Sequence, residues 1–408
     1  MTSVEEHIVT ALEQKLEGIN NTLRDHFSTK TEIGVLEGLS GIALFQFHYA
    51  ELTNNGTYRE WGHDTLLKIM NIINSGEFTY TFSSGITGAA WVIDHLNNNE
   101  FITLDDDELL NEIDHFIMAI LNENIAIKYV DFMHGAMGNI LYLLQRYEYA
   151  KDPEKKSIFA SSIHSFLELL EDLAETEDDI IKWLSPVPLK NQQGYDLSLS
   201  HGMSSIIAML CALSEHDAFR SKSNPLIEKS INYLLSCEFP ESTDSVSLFP
   251  NWIPLNGDSD KNSRLGWCYG DFGIALAILK ASQALNRPDL EEKAHNILKH
   301  TSQRQTEAQT QVVDAGLCHG AFGNAQIYNY LYHTTNEPLY KASANYWIDL
   351  GLKMDTHEEG YCGFKQHMGQ GQWQSMLTLL EGISGIGLSI IDHLSDTPNT
   401  WDKCIQLH

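Results

Sequence analysis

Basic residues are scarce in this chain: 26 Lys and Arg stand against 55 Asp and Glu in 408 residues, a formal net charge of −29. Gripping nucleic-acid phosphates needs clustered Lys and Arg, so nucleic acid is excluded as a natural partner. The same charge repels anionic membrane surfaces. No run of about 18 apolar residues occurs, so no integral membrane segment is expected. The opening stretch, Met1 to Leu16, carries Glu5, Glu6 and Glu13 and lacks the basic and apolar regions of a secretory signal. Cysteine is sparse as well. Cys211, Cys237, Cys268, Cys318, Cys362 and Cys404 lack the close spacing of a secreted disulfide framework. A cytoplasmic location is the expectation, and there cysteines are core residues, metal ligands or nucleophiles. Sustained strand alternation is rare too, which removes most all-β and α/β readings. Wholesale disorder is excluded by a hydrophobic content of 43%.

What the chain does have is a repeat. A short glycine motif recurs seven times: Glu37-Gly38-Leu-Ser-Gly41, Ser84-Gly85-Ile-Thr-Gly88, His134-Gly135-Ala-Met-Gly138, His201-Gly202-Met-Ser-Ser205, Tyr269-Gly270-Asp-Phe-Gly273, His319-Gly320-Ala-Phe-Gly323 and Glu381-Gly382-Ile-Ser-Gly385. Each copy leads into a stretch that is apolar nearly all round, such as Ile274–Leu279, as expected of a helix buried on most sides. Amphipathic segments lie between the copies, beginning with residues 3–25 and including Leu109–Leu121, Ile158–Leu173 and Leu339–Leu352. The repeat unit is therefore a helical hairpin. Open solenoids need polar caps on their terminal repeats. Here the first and last copies are nearly identical, and neither looks like a cap. The expected fold is all-α: one domain over 1–408, closed as an α/α toroid (barrel) of seven hairpins, with seven inner and seven outer helices. The glycines are expected to supply positive φ or close backbone approach at the start of each inner helix. The longer intervals at 175–200 and 238–266 are expected to be loops bordering the barrel mouth.

The position before each first glycine is always polar: Glu37, Ser84, His134, His201, Tyr269, His319 and Glu381. Two positions before it stand Cys268 and Cys318, in successive repeats. Equivalent positions of neighbouring repeats in a ring should be close, so Cys268, Cys318 and His319 are a plausible zinc set, three protein ligands with one open position. Cys211 and Cys237 read as structural, Cys404 as incidental, and Cys362 as a reserve ligand. His201 suits proton transfer. Asp131, four residues before Gly135, could reach the same mouth or act as a turn residue. His134 can be a bystander held by hydrogen bonds. Arg264 could stabilise developing negative charge or form a surface ion pair. Each inner helix would aim its N-terminus at the centre, favouring anions there.

At Ser200-His201-Gly202, Trp267-Cys268-Tyr269-Gly270, Cys318-His319-Gly320 and Leu380-Glu381-Gly382-Ile-Ser-Gly385, the chain resembles the lanthionine synthetase C-like family, over essentially its whole length. The resemblance implies about one zinc ion per chain on Cys268, Cys318 and His319. It implies a cyclase that adds a cysteine thiol of a dehydrated precursor peptide to dehydroalanine or dehydrobutyrine, leaving a thioether ring. His201 and Asp131 would handle protons or position substrate, with Arg264 and Tyr269 assisting. A separate dehydratase and a transporter are the further partners implied. One departure is Ser205, standing where the motif's last glycine belongs, which puts that turn in question.

Two alternatives share these residues: glutathione addition to dehydroamino acids in damaged proteins, and a non-catalytic zinc-stabilised peptide-binding scaffold with Cys362 as fourth ligand. A zinc-dependent prenyltransferase would need a basic diphosphate pocket, which the shortage of Lys and Arg near the motifs argues against. The acidic surface could steer a basic peptide, or simply keep the protein soluble.

Overall fold

The computed structural model describes residues 3–104, 108–189, 191–395 and 397–408. They form fifteen α-helices and six strands of two or three residues. The chain divides into two compact units, Met1–Asp105 with Val312–His408, and Asp106–Gln311.

The first unit begins with α1 (Ser3–His26), α2 (Leu39–Thr53), α3 (Gly56–Ser75) and α4 (Ile86–Asn98). The second unit holds α5 (Glu108–Ala126), α6 (Ala136–Tyr149), α7 (Pro153–Leu173), α8 (Met203–Ser214), α9 (Asp217–Ser236), α10 (Asp271–Leu285), α11 (Pro288–Thr301) and the short α12 (Glu307–Thr310). The chain then returns to the first unit with α13 (Ala321–Thr335), α14 (Pro338–Leu352) and α15 (Ile383–Leu394). Seven helices start immediately after the first glycine of a motif copy: α2, α4, α6, α8, α10, α13 and α15. Each buries nearly every residue, whereas the amphipathic helices between them bury one face. Hairpin pairs pack within each unit: α2 on α3, α6 on α7, α8 on α9, α10 on α11 and α13 on α14.

The two terminal repeats are neighbours. Helix α2 packs on α15, and α1 packs on α15 as well. The Leu380 amide donates to the Leu36 carbonyl at 3.0 Å. The first and last motifs resemble each other because neither end of the repeat faces water, as the absence of polar caps suggested.

The glycine frame works mainly by close approach. The residue six positions before each cap glycine turns its backbone or side chain onto that glycine. A Cβ on Gly202 would meet the Asp196 carbonyl at 2.2 Å, far inside contact distance. Positive φ, the other expected use, occurs at one cap glycine, Gly270, at φ 99°, where a Cβ would meet the Arg264 carbonyl at 1.9 Å. Ser205 does not break its turn. It is buried, its amide donates to the Ser198 carbonyl at 3.3 Å, and its hydroxyl points at Met137 Sδ, 3.9 Å away. Beside it, the Ser204 hydroxyl donates to the Leu197 carbonyl at 2.6 Å, just as Thr87 donates to Tyr80 at 2.7 Å.

The long intervals are not plain loops. They hold β1 (Glu175–Glu177), β2 (Ile180–Lys182), β3 (Gly194–Asp196) and β4 (Trp252–Pro254), paired antiparallel as β1 with β2 and β3 with β4. A further hairpin joins β5 (Gln366–His367) to β6 (Trp373–Gln374). Strands this short show no alternation, so the expectation of loops at 175–200 and 238–266 is corrected here.

Candidate active site

In the second unit, His134 and His201 each stand one residue before the glycine that caps a buried helix, α6 and α8. Those helices pack together. The two imidazoles therefore stack, with ring centroids 6.1 Å apart and planes within 6°. Asp131, 4% exposed, lies between them. Its Oδ2 is 2.6 Å from His201 Nδ1, and its Oδ1 is 3.2 Å from His134 Nδ1. Oδ1 also accepts the His134 backbone N–H at 2.8 Å. Both sequence readings of Asp131 thus hold at once: it fixes a turn and it reaches His201. His134 is held by that same carboxylate, as a histidine satisfied by hydrogen bonds would be.

Burial alone would push the Asp131 carboxyl up, but hydrogen bonds from His134 and His201 and the charge of His201 hold it down to about 2. Burial alone would lower His201. The Asp131 hydrogen bond and charge, with Asp196 and Cys268, outweigh it and raise the imidazole above its ordinary value. An anchored Nδ1 fixes the tautomer and leaves Nε2 as the atom that can exchange a proton with a ligand. Of the His201 side chain, 33% remains accessible. This is an Asp–His pair suited to general acid–base work near neutral pH.

Cys268, Arg264 and Tyr269 belong to the same unit. The Cys268 carbonyl accepts the Leu199 amide at 3.2 Å and the Ser200 hydroxyl at 3.3 Å, which ties Cys268 to the segment carrying His201. Gly270 turns the stretch from Arg264 to Tyr269 back upon itself, and both residues are half-buried. Behind it, buried Arg304 donates to Asp271 at 2.9 Å and to the Ser263 carbonyl at 2.6 Å. Asp271 in turn accepts the amides of Leu248 and Phe249, each at 3.1 Å.

In the first unit, Cys318 and His319 precede Gly320, the cap of α13. Cys318 is 8% exposed, and its amide donates to the Leu380 carbonyl at 2.8 Å. His319 Nε2 lies 2.8 Å from the Gln366 amide and 3.4 Å from Asp314 Oδ2. Asp314 is itself fixed by the amides of Gly316 and His367, both at 3.1 Å. That edge of the imidazole is engaged by protein partners. A carboxylate behind an imidazole beside a buried thiol is the arrangement that orients metal-bound histidines, and Cys318 with His319 fit zinc on that ground.

The other cysteines stand apart from this chemistry. Cys362 Sγ lies 3.4 Å from Thr22 Oγ1 on α1, with its thiol pushed up by burial. Burial lifts the Cys211 thiol to about 12 and that of Cys237 to about 11, and raises Cys404 as well. At all four, burial disfavours the thiolate.

Sequence reasoning missed Asp196, Asp314 and Gln366. A signal for the first two existed. Read six positions before each cap glycine, the fourth, fifth and sixth copies give Asp196, Arg264 and Asp314. Three successive copies are charged in this register, against only Glu32 among the remaining Glu32, Thr79, Tyr129 and Met376. Gln366 sits on a two-residue strand and carries no such register.

The structure is similar to nisin cyclase, with a TM-score of 0.72 at 19% identity over 97% of each chain. That likeness shows the fold, the all-α toroid class that the seven hairpins implied. Among curated proteins, the chain is 22% identical over 328 residues to glutathione S-transferase LANCL1 of Danio rerio, covering 78% of this chain and 75% of that one. The model of the lanthionine synthetase C-like protein family matches residues 29–406, nearly the whole chain, and the protein belongs to that family.

Proposed function

We propose that the protein is a lanthipeptide cyclase, adding a peptide cysteine thiol to a dehydroalanine or dehydrobutyrine of the same peptide. The observation that carries this reading is the Asp131–His201 pair at 2.6 Å, hydrogen-bonded at Nδ1 while a third of the His201 side chain stays accessible. Family membership supports it.

Cys268, Cys318 and His319 are the proposed zinc ligands, with Asp314 bracing His319. When bound, zinc supplies the Lewis acidity that lets a thiol ionise near neutral pH. In the addition, the sulfur lone pair forms a bond to the β-carbon, and the π electrons move through the α-carbon to the carbonyl oxygen as an enolate. Return of those electrons to the α-carbon with one proton completes a thioether, and no atom is lost. His201 is the proposed proton carrier. Asp131 keeps its Nδ1 protonated and stabilises the imidazolium. Arg264, at the half-buried turn beside Tyr269, is the proposed cationic partner of the enolate oxygen. The substrate must come from a dehydration reaction on serine or threonine.

The test uses a synthetic peptide with one dehydroalanine and one cysteine. Cyclisation leaves the mass unchanged but removes the thiol, so alkylation before and after incubation reports it by mass spectrometry. Enzyme-dependent loss of the alkylated species supports the reading, and persistence of the free thiol over many equivalents of enzyme time rejects it. A second reading, glutathione addition, is favoured by the similarity to the Danio rerio glutathione S-transferase LANCL1. The same assay with glutathione distinguishes it: an adduct of increased mass forms in place of a ring.

A further inference from the structure

A cavity of about 340 Å³ lies in the second unit, and Asp131 and His201 are part of its wall. Its volume is within the range of small-ligand pockets. Most of its lining is apolar. Met137 from α6 and Met203 and Ile206 from α8 form one side, and Trp183 and Pro186 from the segment between β2 and β3 form the other. Trp183 is fixed there by its Nε1–H, which donates to the Leu170 carbonyl at 2.8 Å.

Two buried carboxyls, Asp131 and Asp196, line the cavity, and the one lysine of its lining, Lys128, is exposed, so an acidic occupant meets like charge within the wall and a counter-charge only on the solvent side. Both carboxyls are already engaged. Asp131 holds the two imidazoles, and Asp196 Oδ1 accepts the Ser198 amide at 2.8 Å. A basic side chain would lose its hydration against methionine and tryptophan without an unspent counter-charge. An uncharged occupant fits the walls best. Because His201 belongs to both the wall and the catalytic pair, that occupant sits next to the reacting residue.

We propose that this cavity is the subsite for an apolar, uncharged side chain of the substrate peptide, adjacent in sequence to the dehydroamino acid. The inference rests on the cyclase reading for the identity of the peptide. It makes Met203, Ile206 and Trp183 specificity-determining residues, and it gives the short strands β2 and β3 a role as the support of a substrate wall.

The experiment measures binding without chemistry. Fluorescein-labelled peptides carry dehydroalanine, alanine in place of the thiol-bearing cysteine, and Gly, Leu, Phe, Asp or Lys beside the dehydroalanine. Anisotropy gives each Kd. The Leu and Phe peptides are expected to bind about ten- to a hundredfold tighter than the Gly peptide, the worth of burying one such side chain. Ile206→Trp, which fills the cavity from α8, abolishes that ranking. Leu184→Ala removes an exposed wall residue, so it tests the same point should the larger substitution fail to fold, and it weakens the Phe peptide a few-fold. Equal affinity across the series, a preference for Asp or Lys, or a ranking that survives both variants overturns the proposal. Cysteine-containing versions are followed in parallel by alkylation. Cyclisation without the ranking removes the subsite alone, whereas the ranking without cyclisation removes the cyclase reading alone.

Discussion

His201 Nδ1 lies 2.6 Å from Asp131 Oδ2, although 70 residues separate them in the chain. The contact exists because α6 and α8 are successive buried helices whose cap glycines bring the preceding residues to one spot. It yields a sharp expectation for Asp131→Asn. The neutral amide still caps the turn at His134, so the urea midpoint stays near that of the wild type. It no longer holds the His201 tautomer or stabilises the imidazolium, so kcat for cyclisation falls by about 10²- to 10⁴-fold. KM changes little. A variant that loses stability in proportion to activity would reduce Asp131 to a turn residue.

Asp314 stands 3.4 Å from His319 Nε2 and is 1% exposed. Metal analysis should find about one zinc per chain, lost in Cys268→Ala, Cys318→Ala and His319→Ala. Asp314→Asn should keep the metal but bind it about 10- to 100-fold more weakly, as other residues behind metal-bound histidines do. Competition with a zinc-responsive dye reads this without any turnover. Unchanged zinc affinity in Asp314→Asn would remove its bracing role, and full zinc retention in any of the three Ala variants would refute the ligand set.

The repeat was legible because sterics repeat. A side chain at Gly202 or Gly270 would collide with backbone 2.2 or 1.9 Å away, so glycine recurs and marks each helix start. His201 and Cys318 were legible because they sit next to those marks. Asp196 and Asp314 were equally in register, but six residues upstream, where a linear reading sees only loop. The cavity wall was not legible at all. Trp183 and Pro186 follow a three-residue strand that pairs locally with β1 but is too short for alternation to show, and it packs on α9, far along the chain. Ser205 shows the opposite error: a broken motif looked doubtful, yet a hydroxyl fits where Met137 gives it a soft neighbour.

Stability should fall in mild acid through two buried histidines. His48 and His95 have their Nε2 atoms buried without a hydrogen-bond partner. Burial lowers His48 to about 4 and His95 to about 3, from an ordinary value of 6.5. Their folded-state values are depressed, so the unfolded chain binds more protons between pH 6.5 and those values. The stabilisation is complete above pH 6.5 and is lost as pH falls towards 4. Each histidine should cost about 2 kcal/mol at pH 5 relative to pH 7. Asp392 works with the opposite sign, because burial and the neighbouring Asp402 raise its carboxyl. Urea midpoints measured at pH 7 and pH 5 should therefore drop in the wild type and drop less in His95→Leu. Parallel pH dependence in the two proteins would exclude His95 as a source.

Arg304 and Asp271 form an ion pair at 2.9 Å with side chains 3% and 0% exposed. Arg304→Met removes the guanidinium paired with Asp271 and leaves a buried carboxylate, at a cost of about 3–5 kcal/mol in stability. The double variant Arg304→Met/Asp271→Leu should recover part of that loss, because no charge is then stranded. Function should separate the two. Arg304 also donates to the Ser263 carbonyl at 2.6 Å, one residue before Arg264. The double variant therefore refolds the core but leaves Arg264 unanchored, so its stability rises relative to the single variant while its cyclisation rate remains low. Denaturant melts paired with the alkylation assay test both halves. Recovery of activity together with stability would show that the Arg304 network supports the fold and has no part in positioning Arg264.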